Sequence, residues 1–105
     1  MNLFQFPNTF NKEELFETIL KNKNLTIERI ISTGQTSPTN FYYDQPQDEL
    51  VFVLQGEALL SFEHNEIKKL IAGDFVLLPA HQKHRIDYTS SNPPCIWLAI
   101  HGDLT

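Results

Sequence analysis

The sequence contains one cysteine, Cys95, among its 105 residues. A single thiol excludes an internal disulfide framework, CxxC zinc sites and dithiol redox chemistry, and it points to a cytoplasmic setting. Cys95 follows Pro93-Pro94 and leads into Ile96-Trp97-Leu98. It therefore reads as a small hydrophobe at a strand start rather than as a nucleophile. Positive charge is also scarce, with 8 basic residues against 13 acidic ones and a formal net charge of −5. The densest basic stretches are only Lys21 to Lys23 and Lys68-Lys69, which leaves no surface for nucleic acid or for an anionic membrane. No apolar run is long enough to span a bilayer, and Met1 to Phe10 lack the basic and apolar regions of a signal peptide. What remains is one globular domain with 41 % hydrophobic residues, too short to carry a separate regulatory module.

Helical spacing is found once. Asn11 can cap a first turn, Glu14 can complete the capping box, and Phe10 and Leu15 can form a hydrophobic staple. Leu15, Phe16, Ile19 and Leu20 then share one face, opposite Lys12, Glu13, Glu17 and Lys21. Residues 1–24 are accordingly expected to hold a helix that packs on the remaining chain. From Leu25 onward the pattern is short β-rich runs separated by turn residues. Strands are expected at Leu25–Thr33, Leu50–Leu54, Ala58–Phe62, Glu66–Ile71, Phe75–Leu78, Arg85–Thr89 and Ile96–His101, with a hairpin at Gln55-Gly56-Glu57. Such close, regular spacing is that of a sandwich or barrel rather than of βαβ units. The expected fold is all-β, a small single-domain barrel over residues 25–105 with one N-terminal α-helix.

Two segments set ionisable residues beside apolar strands. The first is Tyr43-Asp44-Gln45-Pro46-Gln47-Asp48-Glu49, which runs on to Gly56. The second runs from Gly73-Asp74 through Pro79-Ala80-His81-Gln82-Lys83-His84. Together they resemble the two motifs of the cupin superfamily, GX5HXHX3–4EX6G and GX5PXGX2HX3N. Glu49 and Gly56 stand at the EX6G spacing, Gly73 and Pro79 at the GX5P spacing, and His84 at the second motif's histidine. The departures fall on the metal site. Tyr43 and Gln45 occupy the HXH positions, Ser37 replaces the opening glycine, His81 the glycine of PXG, and Tyr88 the final asparagine.

The resemblance implies a jelly-roll barrel and a homodimer. It also implies a pocket lined by Tyr43, Gln45, Glu49, His84, Tyr88 and His101. Strand alternation sends Glu49, Val51 and Val53 to one face, and His84, Ile86 and Tyr88 to one face of a later strand. A buried carboxylate needs a cation, a hydrogen bond or a proton. Three arrangements meet that need. Glu49, His84 and the Gln45 carbonyl oxygen could hold a divalent iron, nickel, manganese or zinc ion. His81 or His101 could add a nitrogen ligand. Alternatively, Glu49 and His84 could pair without metal. The fold is compatible with several functions. One is a metal-dependent enzyme of dioxygenase or isomerase type acting on a small polar or carboxylated substrate, with Tyr43 or His101 moving a proton. Another is a non-catalytic ligand-sensing or binding module in which Tyr43, Gln45, His81 and Tyr88 contact a small molecule directly.

Overall fold

The computed structural model of the chain describes residues 2–6 and 13–105. Among the described residues eight strands form two antiparallel sheets. In chain order they are β1 (Leu15–Lys21), β2 (Leu25–Ser32), β3 (Asp48–Gln55), β4 (Glu57–Phe62), β5 (Ile67–Ile71), β6 (Phe75–Leu78), β7 (His84–Thr89) and β8 (Cys95–Gly102). The larger sheet has the order β1-β2-β8-β3-β6 and the smaller one β5-β4-β7. Their facing sides bury Val51, Val53, Ala58, Leu60, Phe62, Leu70, Leu78, Trp97 and Ala99 in one core. Burial of this apolar surface is the main driving force for closing the two sheets together.

The expected N-terminal helix is not formed. Leu15–Lys21 is a strand that pairs antiparallel with β2, from Leu15 opposite Ile31 to Lys21 opposite Thr26. The apolar spacing that imitates a helix has a local cause. The register shifts between Thr18 and Leu20, so Ile19 is an extra, unpaired residue. Leu15 and Phe16, paired in unbroken register before the bulge, face opposite ways, so the apolar pairs come from both faces of one strand and not from one face of a helix. The proposed cap and staple residues Phe10 and Asn11, with Lys12, lie outside the described residues. Glu14 and Glu17, expected on that helix, instead accept hydrogen bonds from Ser32 and Arg29 of β2. Among the described residues the one helical turn is a 3-10 segment at Glu63–Asn65. No helix among them is long and apolar enough to cross a membrane.

The β3–β4 hairpin turns at Gly56, whose φ is +80°. A Cβ at this position would lie 2.9 Å from both the Cys95 Cα and the Pro94 carbonyl oxygen. Glycine is needed there both for its left-handed backbone and for the close approach of the β8 entry. Burial pushes the Cys95 thiol up to about 12, with Glu14 adding to the effect. The group is an inert wall atom at neutral pH.

Candidate functional site

The site is the space between the sheets at one end of the core. Cross-strand partners share a face, so the register of the large sheet defines one wall. Phe16 stands opposite Ile30, Ile30 opposite Trp97, and Glu49 opposite both His101 and Leu78. Leu60, His84 and Ile86, from β4 and β7, make the other wall. The cavity between them has a volume of about 130 Å³, and Glu14, Glu28, Tyr43 and Gln45 also line it.

Each polar side chain is held by a traceable set of contacts. Asp48 is buried beside Glu49 and accepts hydrogen bonds from Ala80 N at 2.8 Å, Leu104 N at 2.9 Å, and Thr105 N and Oγ1 at 3.0 and 2.9 Å. These bonds, led by that from Ala80, hold its carboxyl below the usual aspartate range. With Asp48 fixed on one face, the alternation of β3 turns Glu49 to the other, where it is 8 % exposed. His84 and Tyr43 are fixed by paired backbone bonds, Tyr43 N to His84 O at 2.7 Å and His84 N to Tyr43 O at 3.1 Å. Their rings stack at 5.4 Å. Nδ1 of His84 lies 3.1 Å from the Gln82 carbonyl oxygen. A carbonyl only accepts, so Nδ1 carries a hydrogen, and in the neutral ring Nε2 is the nitrogen that keeps the lone pair.

His101 sits between two carboxylates, with Nε2 2.9 Å from Glu28 Oε1 and 3.8 Å from Glu49 Oε2. The hydrogen must therefore be on Nε2. Burial raises the pKa of Glu49 and the charge of Glu28 adds to the rise, while His101 and His84 partly offset it. Burial also raises Tyr43, reinforced by Glu14 and Glu49 and opposed by a hydrogen bond from Ser37. The phenol is a proton donor throughout the neutral range.

Of the residues expected at the site, Tyr43, Gln45, Glu49, His84 and His101 line this cavity. His81 and Tyr88 do not. His81 is exposed and bonds through Nδ1 to Asp44 Oδ1 at 2.8 Å. Its φ of +65° is a left-handed conformation at the position where the motif carries glycine. Tyr88 is 43 % exposed because β7 contains a bulge. Leu59 pairs with Tyr88 but Leu60 pairs with Ile86, so Asp87 is an extra residue. The simple alternation from His84 through Ile86 is broken there, Tyr88 turns outward and Thr89 inward. Asp44 is taken up by His81, and Asp48 by Ala80, Leu104 and Thr105.

Sequence reasoning overlooked Glu28, Glu14 and Phe16. Glu28 was legible as a charge alternating with Ile30 on a strand whose other residues are largely apolar. Glu14 and Phe16 were hidden by the helical reading of their segment.

The residues do not fit the divalent metal that the family resemblance implies. Among the described residues no group of three or more His, Cys, Asp or Glu side chains is placed to hold an ion. Nε2 of His101 is committed as a donor to Glu28. At the motif positions that leaves the Glu49 carboxylate, one His84 nitrogen and the neutral Gln45 amide, with a phenol at the remaining one, while Glu28 and Glu14 are already hydrogen-bonded to His101 and Ser32. Resident iron, nickel, manganese or zinc sites use three or more strong donors.

A family model described as "Cupin domain" matches residues 29–101. No curated protein matches the chain. Among solved structures, a Ralstonia eutropha JMP134 protein described as a "putative mannose-6-phosphate isomerase" is 42 % identical. It superposes with a TM-score of 0.91, covering 98 % of this chain and 96 % of that one. A cupin superfamily protein from Desulfitobacterium hafniense DCB-2 is 21 % identical, with a TM-score of 0.76 over 91 % of this chain and 83 % of that one. An RmlC-like cupin with a double-stranded β-helix fold from Methanocaldococcus jannaschii is 17 % identical, with a TM-score of 0.73 and coverages of 98 % and 91 %.

Proposed function

The chain belongs to the cupin superfamily, and from that premise we propose that it binds a small molecule in its barrel without a resident metal. The carrying observation is the Glu28–His101–Glu49 array at the cavity wall, in which the imidazole that could complete a metal site donates its Nε2 hydrogen to Glu28. In this reading Glu49 and His84 present hydrogen-bonding atoms to the ligand, Tyr43 offers its phenolic hydrogen, and Val51, Leu60 and Trp97 bury the ligand's apolar part. Glu49 can also exchange a proton with a bound molecule, because its raised pKa brings it closer to neutrality.

The description of the Ralstonia protein would bring sugar-phosphate isomerisation to this chain. The pocket gives that activity no support, since among the described residues no lysine or arginine lines it. A phosphate dianion would have only imidazoles to oppose three carboxylates.

The test is elemental analysis of untagged protein, before and after metal reconstitution, together with a thermal-shift screen of small acids, amines, polyols and sugars. The reading expects less than stoichiometric metal and a midpoint increase with at least one ligand class, lost in His84→Ala. Stoichiometric metal that disappears in Glu49→Ala or His84→Ala would overturn the metal-free assignment. A screen that is blank across all classes would overturn the binding assignment.

A further inference from the structure

The charges around the cavity restrict what can enter it. Among the described residues its wall carries three carboxylates, Glu14, Glu28 and Glu49, and two imidazoles, but no lysine or arginine. Two of the carboxylates have partners. Ser32 donates its hydroxyl to Glu14, and His101 donates to Glu28 at 2.9 Å. Glu49 is different. It is 8 % exposed and lines the cavity, and its ion-pair contact with His101 Nε2 is 3.8 Å long, beyond hydrogen-bond reach. A carboxylate that faces a mostly apolar cavity with only a long ion pair is poorly compensated, and a counter-charge inside the cavity would improve its compensation.

The rest of the wall suits a particular kind of counter-charge. Phe16, Tyr43 and Trp97 line the same space, with Ile30, Val51 and Leu60. Aromatic rings attract organic cations, and an aliphatic wall receives their apolar bodies. The low polarity of these surroundings strengthens the pull of each carboxylate. A strongly hydrated metal ion gains little from such a wall, while an anion meets three like charges. The size is equally restrictive. A cavity of about 130 Å³ is close to the ~150 Å³ engineered cavity that accepts benzene.

We propose that the ligand of this pocket is a small organic cation, an ammonium or amidinium group on a compact apolar body, with its charge beside Glu49 and its body against Trp97 and Tyr43. The inference rests on the small-molecule-binding reading above and narrows it to one ligand class.

Three probes of one shape test it on the full-length protein: tert-butylammonium, tert-butanol and pivalate. Trp97 is the chain's one tryptophan, so its fluorescence reports occupancy of the pocket, with calorimetry as a second readout. The ammonium is expected to bind about tenfold or more tightly than the alcohol, and pivalate more weakly than either. Glu49→Gln and Glu28→Gln, each checked for native circular dichroism, should reduce ammonium affinity about fivefold or more while leaving the alcohol nearly unchanged. The alcohol binding as well as the ammonium, or a preference for pivalate, would overturn the cation assignment and leave the pocket reading standing. No binding by any of the three would overturn both. The ranking of probes on the unmodified protein decides the matter even if a variant fails to fold.

Discussion

Glu49 and Asp48 are adjacent carboxylates with opposite fates, and each has its own pH signature. Burial raises Glu49, so the folded protein holds its proton to higher pH than the unfolded chain does. Stability must then fall as pH rises from the ordinary glutamate range through the raised folded value, and the penalty persists above it. Glu49→Gln should increase stability at pH 7 to 8 by about 1–3 kcal/mol, the cost of an ill-satisfied buried group, with the gain fading toward pH 4. Urea unfolding at several pH values measures this. An unchanged or lowered midpoint at pH 8 would contradict it. Asp48 runs the other way. Hydrogen bonds from Ala80, Thr105 and Leu104 depress its pKa, so its contribution is present above the ordinary aspartate range and is lost as pH falls through the folded value. Asp48→Asn should lower the thermal midpoint at pH 7, and the gap to wild type should narrow on acidification. The inward placement of Glu49 was legible because Val51 and Val53 follow it at period 2. The role of Asp48 was not, because its partners Ala80, Leu104 and Thr105 are remote in sequence.

At the scale of elements, strand positions were readable even where a bulge interrupts them, as in β3 and β7, whereas β1 and the facing of residues beyond the β7 bulge were not. Phe75–Leu78 was located to the residue, and six other strands to within two residues at either end. The facing of the far half of β7 was misread because Asp87 is unpaired, and β1 because apolar residues on both its faces, with an unpaired Ile19 between, imitate one helical stripe. Nothing in local composition announces such a residue, because it is set by pairing with β2 or β4 and not by its own side chain. The β3–β4 hairpin offers the sharpest test of an element. Gly56→Ala must place a Cβ in a left-handed turn and against the Cys95 and Pro94 backbone. The combined backbone strain and overpacking should cost roughly 2–5 kcal/mol, measurable by denaturant unfolding. A loss below about 0.5 kcal/mol would mean that the hairpin relaxes freely.

For the whole molecule, the sheet order predicts how the chain opens. β8 lies between β2 and β3, whereas β1 and β6 stand at the edges of the larger sheet. Amide exchange should therefore be slowest along Cys95–Gly102 and fast along Leu15–Lys21 and Phe75–Leu78. Equal protection of β1 and β8 would show that the sheet opens as one unit. Because Glu49 and His101 face each other across the β3–β8 pair, the candidate site is built on the part of the molecule that should open last. The bulges carry a further consequence, for the tolerance of the gene to changes in length. Asp87 is the residue that β4 does not pair, so deleting it should leave Tyr88 outside and Thr89 inside. Deleting Arg85, in the paired part of the same strand, would instead exchange the faces of its neighbours and turn either His84 or Ile86 out of the pocket.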